Sequence, residues 1–191
     1  MCNSIVFKFV YFNGCCGSLS QIKGSLKMGM EALAIDDSLV SQLKQMVGND
    51  HVLTDEKDRD FYSTDLSYRD REIAAVVVQP GNTEELSECV ELAVRSGLAV
   101  VARGGGMSYT SGYTPERPDT MLLDMRRMDR ILELNTEDMY VTVECGCTWK
   151  SLYETLKEKG VRTPYWGPLS GMYATVGGAL SQNSLFHGSG V

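Results

Sequence analysis

A glycine loop in the middle of the chain is the clearest candidate for a ligand-binding segment. Arg103-Gly-Gly-Gly-Met-Ser108 directly follows Leu98–Ala102, a short apolar run typical of a strand. Three consecutive glycines have no Cβ, so their backbone N–H groups can converge on an anion. Such hydrogen bonds contribute about 1.5 to 3 kcal/mol each, enough for several amides to hold a diphosphate without lysine. The loop predicts either a phosphate site, to which Arg103 and Ser108 contribute, or a simple turn.

A second segment rich in small residues lies near the C-terminus. It comprises Gly167-Pro-Leu-Ser-Gly171 and Ala174-Thr-Val-Gly-Gly-Ala-Leu-Ser-Gln-Asn183. Taken alone, Thr175–Asn183 is typical of a helix start that packs closely on a neighbour. Together with the first loop, the segment predicts that its amides, Ser181 and Asn183 bind the other side of a dinucleotide-sized ligand.

Two other phosphate-binding loops fit the first segment less well. A Walker loop needs Gly-Lys-Ser/Thr, and no lysine occurs between Lys57 and Lys150. A Rossmann fingerprint needs a third glycine where Tyr109 stands and a helix directly after it, but Thr114–Pro118 contains two prolines. Asp124, at the end of the next strand-like run, has the position of an acidic ribose ligand. A nicotinamide-dependent Rossmann dehydrogenase therefore remains an alternative.

Hydrophobic patterns indicate the elements that position these loops. Ala74–Gln79 contains three consecutive β-branched valines in a short apolar run, typical of a strand buried on both faces. Asn82 is placed to cap the following helix, with Glu85 three residues later, and Gly97 is placed to end it. With the strand Leu98–Ala102, these elements predict a βαβ unit with parallel strands and a right-handed connection.

Three further strand-like runs are spaced closely enough to predict an antiparallel meander. They are Thr120–Asp124, Arg130–Asn135 and Met139–Cys145. A helix is predicted to begin at Thr148 and to end at Gly160. The predicted fold class is α+β, with a small parallel βαβ subdomain followed by a mainly antiparallel α/β subdomain.

Composition narrows the possible functions. The net charge of −7, without a basic block, argues against nucleic-acid binding. Six cysteines show no disulfide framework, and neither His51 nor His187 lies near a cysteine pair, so we predict no metal site. The longest apolar run near the start, Ile5–Phe12, is too short to span a bilayer.

The chain is expected to have three parts. Residues 1–34 are predicted to be a disordered or non-native leader, with Met28 or Met30 as the working start. The absence of acidic residues before Glu31 also fits a mitochondrial transit peptide, but we expect a cytoplasmic protein. Residues 35–72 are predicted to form an N-terminal helix, capped by Asp36 or Asp37, and a charged connector.

In this order and spacing, three motifs resemble the FAD-binding domain of the p-cresol methylhydroxylase (PCMH) and vanillyl-alcohol oxidase family. They are Gln79–Leu86, Arg103–Ser108 and Thr175–Asn183. The similarity covers about residues 36–191, and it implies that residues 73–191 form this domain, incomplete at its C-terminus. The resemblance further implies two subdomains that hold FAD, with the first loop at the pyrophosphate and the second segment at the ribityl and isoalloxazine portion.

The resemblance also implies a set of cofactor-binding residues. Covalent family members have a histidine directly after the glycines, where this chain has Met107, so we expect FAD to be bound non-covalently. His187 is not predicted to be catalytic. The implied cofactor-binding residues are Arg103, Gly104, Gly105, Gly106, Met107, Ser108, Pro168, Ser170, Gly171, Thr175, Val176, Gly177, Gly178, Ser181 and Asn183.

Family members of this layout commonly oxidise 2-hydroxy acids, alcohols or related compounds by passing a hydride to flavin N5. The resemblance therefore implies an FAD-dependent oxidase or dehydrogenase, whose small-molecule substrate is bound by a missing C-terminal domain. This chain alone is expected to be inactive. A non-catalytic remnant or interaction module is a third hypothesis. The sequence does not predict the catalytic residues, the electron acceptor or the oligomeric state.

Overall fold

The computed structural model describes residues 35–67, 71–164 and 170–182, together with the backbone of residues 6–7. Two sheets organise these residues, in the strand orders β2-β3-β5-β4 and β1-β7-β6. The strands are β1 (Val6–Phe7), β2 (Val52–Leu53), β3 (Val76–Val78), β4 (Ala99–Arg103), β5 (Thr120–Asp124), β6 (Ile131–Asn135) and β7 (Tyr140–Val143). The helices are α1 (Asp37–Val47), α2 (Glu56–Tyr62), α3 (Thr83–Arg95), α4 (Trp149–Glu158) and α5 (Val176–Ser181).

The first sheet is mainly parallel and is buried on both faces. Val76 and Val78 of β3 pack in a core with α1 and α3, whereas Val77 packs with Leu122 of β5 in a second cluster. Successive side chains of a strand point to opposite faces, so the two clusters lie on the two sides of the sheet. The prediction that Ala74–Gln79 contains a strand buried on both faces is confirmed.

The helix-end signals are confirmed as well. Asp36 caps α1 by accepting a 2.7 Å hydrogen bond from the backbone N–H of Leu39. Asn82 caps α3 by accepting a 2.8 Å hydrogen bond from the backbone N–H of Glu85. Gly97 follows α3 with φ +72°, a backbone conformation that glycine adopts without strain.

The predicted antiparallel meander is wrong for its first strand. β5 is parallel to both β3 and β4 and lies between them, so the two strands of the predicted βαβ unit are parallel but not adjacent. Met121, Leu122 and Leu123 are at most 2% exposed because this central strand is covered on both faces. A 3₁₀ turn, Met125–Arg127, leads from β5 towards the second sheet, where β6 and β7 form the antiparallel pair.

The second sheet is covered by α4 and α5. Leu152 of α4 and Val176 of α5 belong to one buried cluster with β7. A Cβ added to Gly177 would lie 2.6 Å from the Cβ of Cys145, so α5 packs directly on the turn that follows β7. β7 ends at Val143, so Cys145 lies in this turn, whereas the sequence predicted that it belongs to the strand.

The connector between α1 and β3 is more ordered than its charge pattern predicts. It contributes β2, which pairs with β3 in antiparallel orientation, and α2.

The described cysteines, Cys89, Cys145 and Cys147, are free thiols, and no group of metal-ligating side chains occurs among the described residues. No helix in the described part of the chain has the length and apolar character needed to cross a membrane.

Candidate cofactor-binding site

The two glycine segments meet and line one cavity. The first follows β4 at the carboxyl edge of the parallel sheet, where α/β folds commonly bind ligands, and the second leads into α5. The cavity has a volume of about 150 Å³, below the range of about 300–1,000 Å³ of typical ligand pockets, so it accommodates only part of a dinucleotide. Its lining residues are Gly104, Gly105, Gly106, Met107, Ser108, Tyr109, Tyr113, Ser170, Ala174, Thr175, Gly178, Ala179 and Gln182.

Gly104 and Gly105 allow the two segments to come into contact. A Cβ on Gly104 would collide with Oγ1 of Thr175, and a Cβ on Gly105 would collide with the backbone carbonyl of Tyr173. The neighbour of Gly105 is backbone, which cannot move aside as a flexible side chain would. These two glycines therefore permit the close contact between the two segments.

Hydrogen bonds hold the second segment against the first. Thr175 caps α5 by accepting a 3.2 Å hydrogen bond from the backbone N–H of Gly178. Gln182 Nε2, at the other end of α5, donates to Ser108 Oγ over 2.8 Å. The backbone N–H of Thr110 donates to the same hydroxyl oxygen over 3.2 Å. The Ser108 hydroxyl therefore joins both segments at one edge of the cavity.

The segment after α2 holds the far end of the glycine loop. The Asp65 carboxylate accepts hydrogen bonds from the backbone N–H of Ser67 (2.7 Å) and of Ser111 (2.8 Å). Burial of this carboxyl group favours a raised pKa, but hydrogen bonds from Ser67, Ser108 and Ser111 outweigh burial and lower the pKa below its ordinary value of 3.8. Asp65 is therefore ionised at neutral pH. Sequence analysis did not predict this contact.

Tyr109 and Tyr113 supply the aromatic part of the cavity. Tyr113 is buried and donates its hydroxyl to the carbonyl of Thr64 over 2.8 Å. Burial raises the pKa of this hydroxyl, although the positive charge of Arg103 opposes the shift. None of the described lining residues carries a charge at neutral pH. An anion in the cavity would therefore be held by backbone amides and hydroxyl groups.

The structure brings many of the predicted site residues together, but not all of them. Val176 packs in the second core, the Ser181 hydroxyl donates to the carbonyl of Gly178, and the Arg103 side chain lies behind the loop. The predicted residues that line the cavity are Gly104, Gly105, Gly106, Met107, Ser108, Ser170, Thr175 and Gly178. Those that do not line it are Arg103, Gly171, Val176, Gly177 and Ser181. Pro168, Asn183 and His187 lie outside the described residues.

The cavity also contains residues that sequence analysis missed. Gln182 lies inside the second motif and Tyr109 directly follows the first, so both had a local signal. Tyr113 had none, because it reaches the cavity through the fold of the long loop between β4 and β5. The missed residues are Tyr109, Tyr113, Ala174, Ala179 and Gln182.

Comparison with known families decides what kind of domain contains this site. The sequence model of the FAD binding domain family matches residues 74–191, which include both glycine segments and more than half of the chain. This chain belongs to the FAD binding domain family. The predicted resemblance is confirmed.

Curated relatives of this FAD-binding domain are longer proteins. The chain is 30% identical over 156 residues to the uncharacterized FAD-linked oxidoreductase YgcU of Escherichia coli (strain K12), covering 78% of this chain and 32% of the relative. It is 27% identical over 150 residues to the glycolate oxidase subunit GlcD of Bacillus subtilis (strain 168), with the same coverage of both chains. The chain thus spans about a third of the length of these relatives.

Solved structures confirm the fold class. An alkyldihydroxyacetonephosphate synthase matches 75% of this chain and 31% of its own chain, with 26% identity and a TM-score of 0.68. Substrate-bound p-cresol methylhydroxylase matches 65% of this chain and 25% of its own chain, with 18% identity and a TM-score of 0.59. The mixed parallel and antiparallel α/β arrangement is therefore that of PCMH-type FAD-binding domains.

The nicotinamide alternative is not supported, and the position of Asp124 gives a physical reason. This side chain is 1% exposed. Its carboxylate accepts hydrogen bonds from Nε of Arg126 (2.9 Å) and from Nε2 of Gln79 (2.8 Å). A carboxylate paired in this way within the protein is not available to a ribose hydroxyl.

Proposed function

We propose that this FAD-binding domain is the cofactor-holding part of a flavin-dependent oxidoreductase that oxidises a hydroxy acid, an alcohol or a related small molecule. The observation that supports the proposal best is the meeting of the two glycine segments around a cavity with an uncharged lining. Such a lining suits a diphosphate, because backbone amides bind its oxygens and no described carboxylate in the lining repels them. The relatives include an FAD-linked oxidoreductase and a glycolate oxidase subunit, which supports oxidation as the reaction class.

In this proposal the amides of Gly104–Ser108 hold the diphosphate. Ser170, Thr175 and Gly178, which line the same cavity, contact the adjoining part of the cofactor. Met107 also lines the cavity, and its thioether cannot form the link that a histidine forms with flavin. The proposal therefore includes non-covalent attachment of FAD.

When bound, FAD supplies the two-electron acceptor, while the chain supplies binding and orientation. Oxidation of a hydroxyl-bearing carbon also needs a base for the hydroxyl proton. In the described lining the titratable side chains are tyrosines, without a carboxylate, histidine or lysine, and the Tyr113 hydroxyl is occupied by the Thr64 carbonyl. We assign the base and the substrate contacts to a region of the protein that corresponds to the part of the longer relatives that this chain does not match.

Titration of the purified chain with FAD tests the proposal. Binding is expected to change the visible flavin spectrum and to raise the melting temperature, with a gain of about 2.7 kcal/mol in unfolding free energy at 100 times Kd. Acid denaturation followed by filtration is expected to release all of the flavin, as non-covalent attachment requires. A folded chain that neither binds FAD nor gains stability from it would instead support the non-catalytic module.

Two alanine substitutions in the same loop locate the site. Gly105→Ala is expected to weaken FAD binding about tenfold or more, because the new Cβ collides with the Tyr173 carbonyl and separates the two segments. Gly112→Ala is the matched control, since its Cβ would meet only side-chain atoms at 3.5 to 4.0 Å. Equal FAD affinity in the two variants would contradict the assignment of the cavity.

A further inference from the structure

Arg103 ends β4, but its side chain does not line the cavity. Only 5% of the residue is exposed. The guanidinium carbon lies 5.0 Å from the ring centroid of Tyr62, 5.4 Å from that of Tyr113 and 5.8 Å from that of Phe61. Its Nε has no hydrogen-bond partner among the described residues. The cation is therefore enclosed mainly by aromatic rings.

The same guanidinium contacts the back of the glycine loop. Its NH1 group donates a long, 3.4 Å hydrogen bond to the carbonyl of Gly104. A Cβ added to Gly106 would meet the guanidinium, and Gly106 has φ +76°, a backbone conformation that favours glycine. Gly104 and Gly106 line the cavity. The positive charge thus lies against the loop without lining the cavity.

A buried cation without a counter-ion is costly. Cation–π contacts with the three rings offset part of this cost. No ion pair between Arg103 and a carboxylate occurs in the part of the chain that the structure describes. The nearby Asp124 is paired with Arg126. An anion in the cavity would provide the missing negative charge.

We infer that Arg103 is a positioning residue for a diphosphate: it acts from behind the glycine loop, through its charge and through its contact with the Gly104 carbonyl, without lining the cavity itself. This inference rests on the proposed FAD site. It also implies that Arg103 lowers the stability of the ligand-free chain, since the cost of burying its charge is recovered only when the anion binds. An arginine with a merely structural role would instead raise the stability of the ligand-free chain.

Arg103→Met and Arg103→Lys test the inference. Methionine is flexible and apolar and fits among aromatic rings, whereas lysine keeps the charge. Arg103→Met is expected to weaken FAD binding about tenfold without lowering the melting temperature of the ligand-free chain. Arg103→Lys is expected to recover part of the lost affinity. ADP, which carries the diphosphate but no flavin, is expected to lose affinity by the same factor as FAD.

Arg95→Met serves as the control for the change in net charge, because Arg95 lies on α3 with its side chain 63% exposed. It is expected to leave both affinities unchanged. Any of four results would overturn the inference. Arg103→Met could leave the FAD affinity unchanged, or lower it by no more than Arg103→Lys does. It could also weaken the binding of FAD but not of ADP, or lower the melting temperature of the ligand-free chain. If the unaltered chain binds neither FAD nor ADP, the proposed function fails and the inference fails with it; if it binds both and Arg103→Met binds equally well, only the inference fails.

Discussion

At the scale of single residues, Asp65 shows how one buried carboxylate can order the loop that lines the cavity. It is 7% exposed and binds the backbone N–H of Ser111, which is 46 positions away in the sequence. Ser111 has φ +58°, a strained conformation for a residue with a side chain. The charge of Asp65 therefore stabilises a loop conformation that the local sequence would not adopt by itself.

We expect Asp65→Asn to destabilise the chain by about 1 to 3 kcal/mol at pH 7, because an asparagine oxygen can replace only one of the two carboxylate oxygens. The pKa of Asp65 is lowered in the folded state, so its contribution to stability is complete above its ordinary value of 3.8 and is lost as the pH falls below it. Urea unfolding at pH 7 and pH 3 measures the difference, which is expected to shrink at pH 3.

Asp58→Asn is the control for this experiment, since Asp58 is exposed on α2. It is expected to have little effect at either pH. A destabilisation by Asp65→Asn that is as large at pH 3 as at pH 7 would show that the carboxylate charge is not what holds the loop.

At the scale of elements, the threonine caps of α4 and α5 provide a matched pair. Thr148 accepts a 3.1 Å hydrogen bond from the backbone N–H of Ser151, and Thr175 accepts one from Gly178. Thr148 and Thr175 also form an isolated antiparallel bridge with each other. Of these two capping residues, Thr175 lines the cavity and Thr148 does not. The same substitution at both positions therefore separates helix stability from ligand binding.

Thr148→Val and Thr175→Val are each expected to lower the unfolding free energy by about 1 kcal/mol, the usual value of an N-cap hydrogen bond. Only Thr175→Val is expected to weaken FAD binding, by several-fold, because valine keeps the shape next to Gly104 but removes the hydroxyl that orders the start of α5. Chemical denaturation and FAD titration of both variants measure the two effects. Equal FAD affinities would show that the start of α5 does not contribute to the site.

The elements also show what local sequence can predict. Asn82 and Gly97 mark the ends of α3 correctly, since caps depend on residues within one helical turn. The place of β5 between β3 and β4 was not predicted, because strand order depends on contacts between distant segments. The same limit explains why the place of the Arg103 side chain was not predicted. The position of Arg103 after a predicted strand indicated a direct role in the loop. Its burial among aromatic rings depends instead on α2 and on the loop after β4, which contribute those rings.

At the scale of the whole molecule, the cavity connects the two sheets. Gly104–Ser108 follow β4 of the first sheet, whereas Ala174 and Ala179 belong to the core that covers the second. Separation of the two sheets would therefore dismantle the cavity. A ligand that binds there stabilises the joined state, so its binding free energy is shared by both sheets.

We accordingly expect saturating FAD to slow amide hydrogen exchange in both sheets. At 100 times Kd, amides that exchange through global unfolding are expected to slow about 100-fold, equivalent to about 2.7 kcal/mol. Peptides covering 99–124 in the first sheet and 140–158 in the second report on each side separately, and mass spectrometry measures their protection with and without FAD. If FAD slowed exchange in only one sheet, it would bind to that sheet alone. A ligand held by both glycine segments must oppose any opening of the structure that separates the two segments, and it must therefore slow exchange in both sheets.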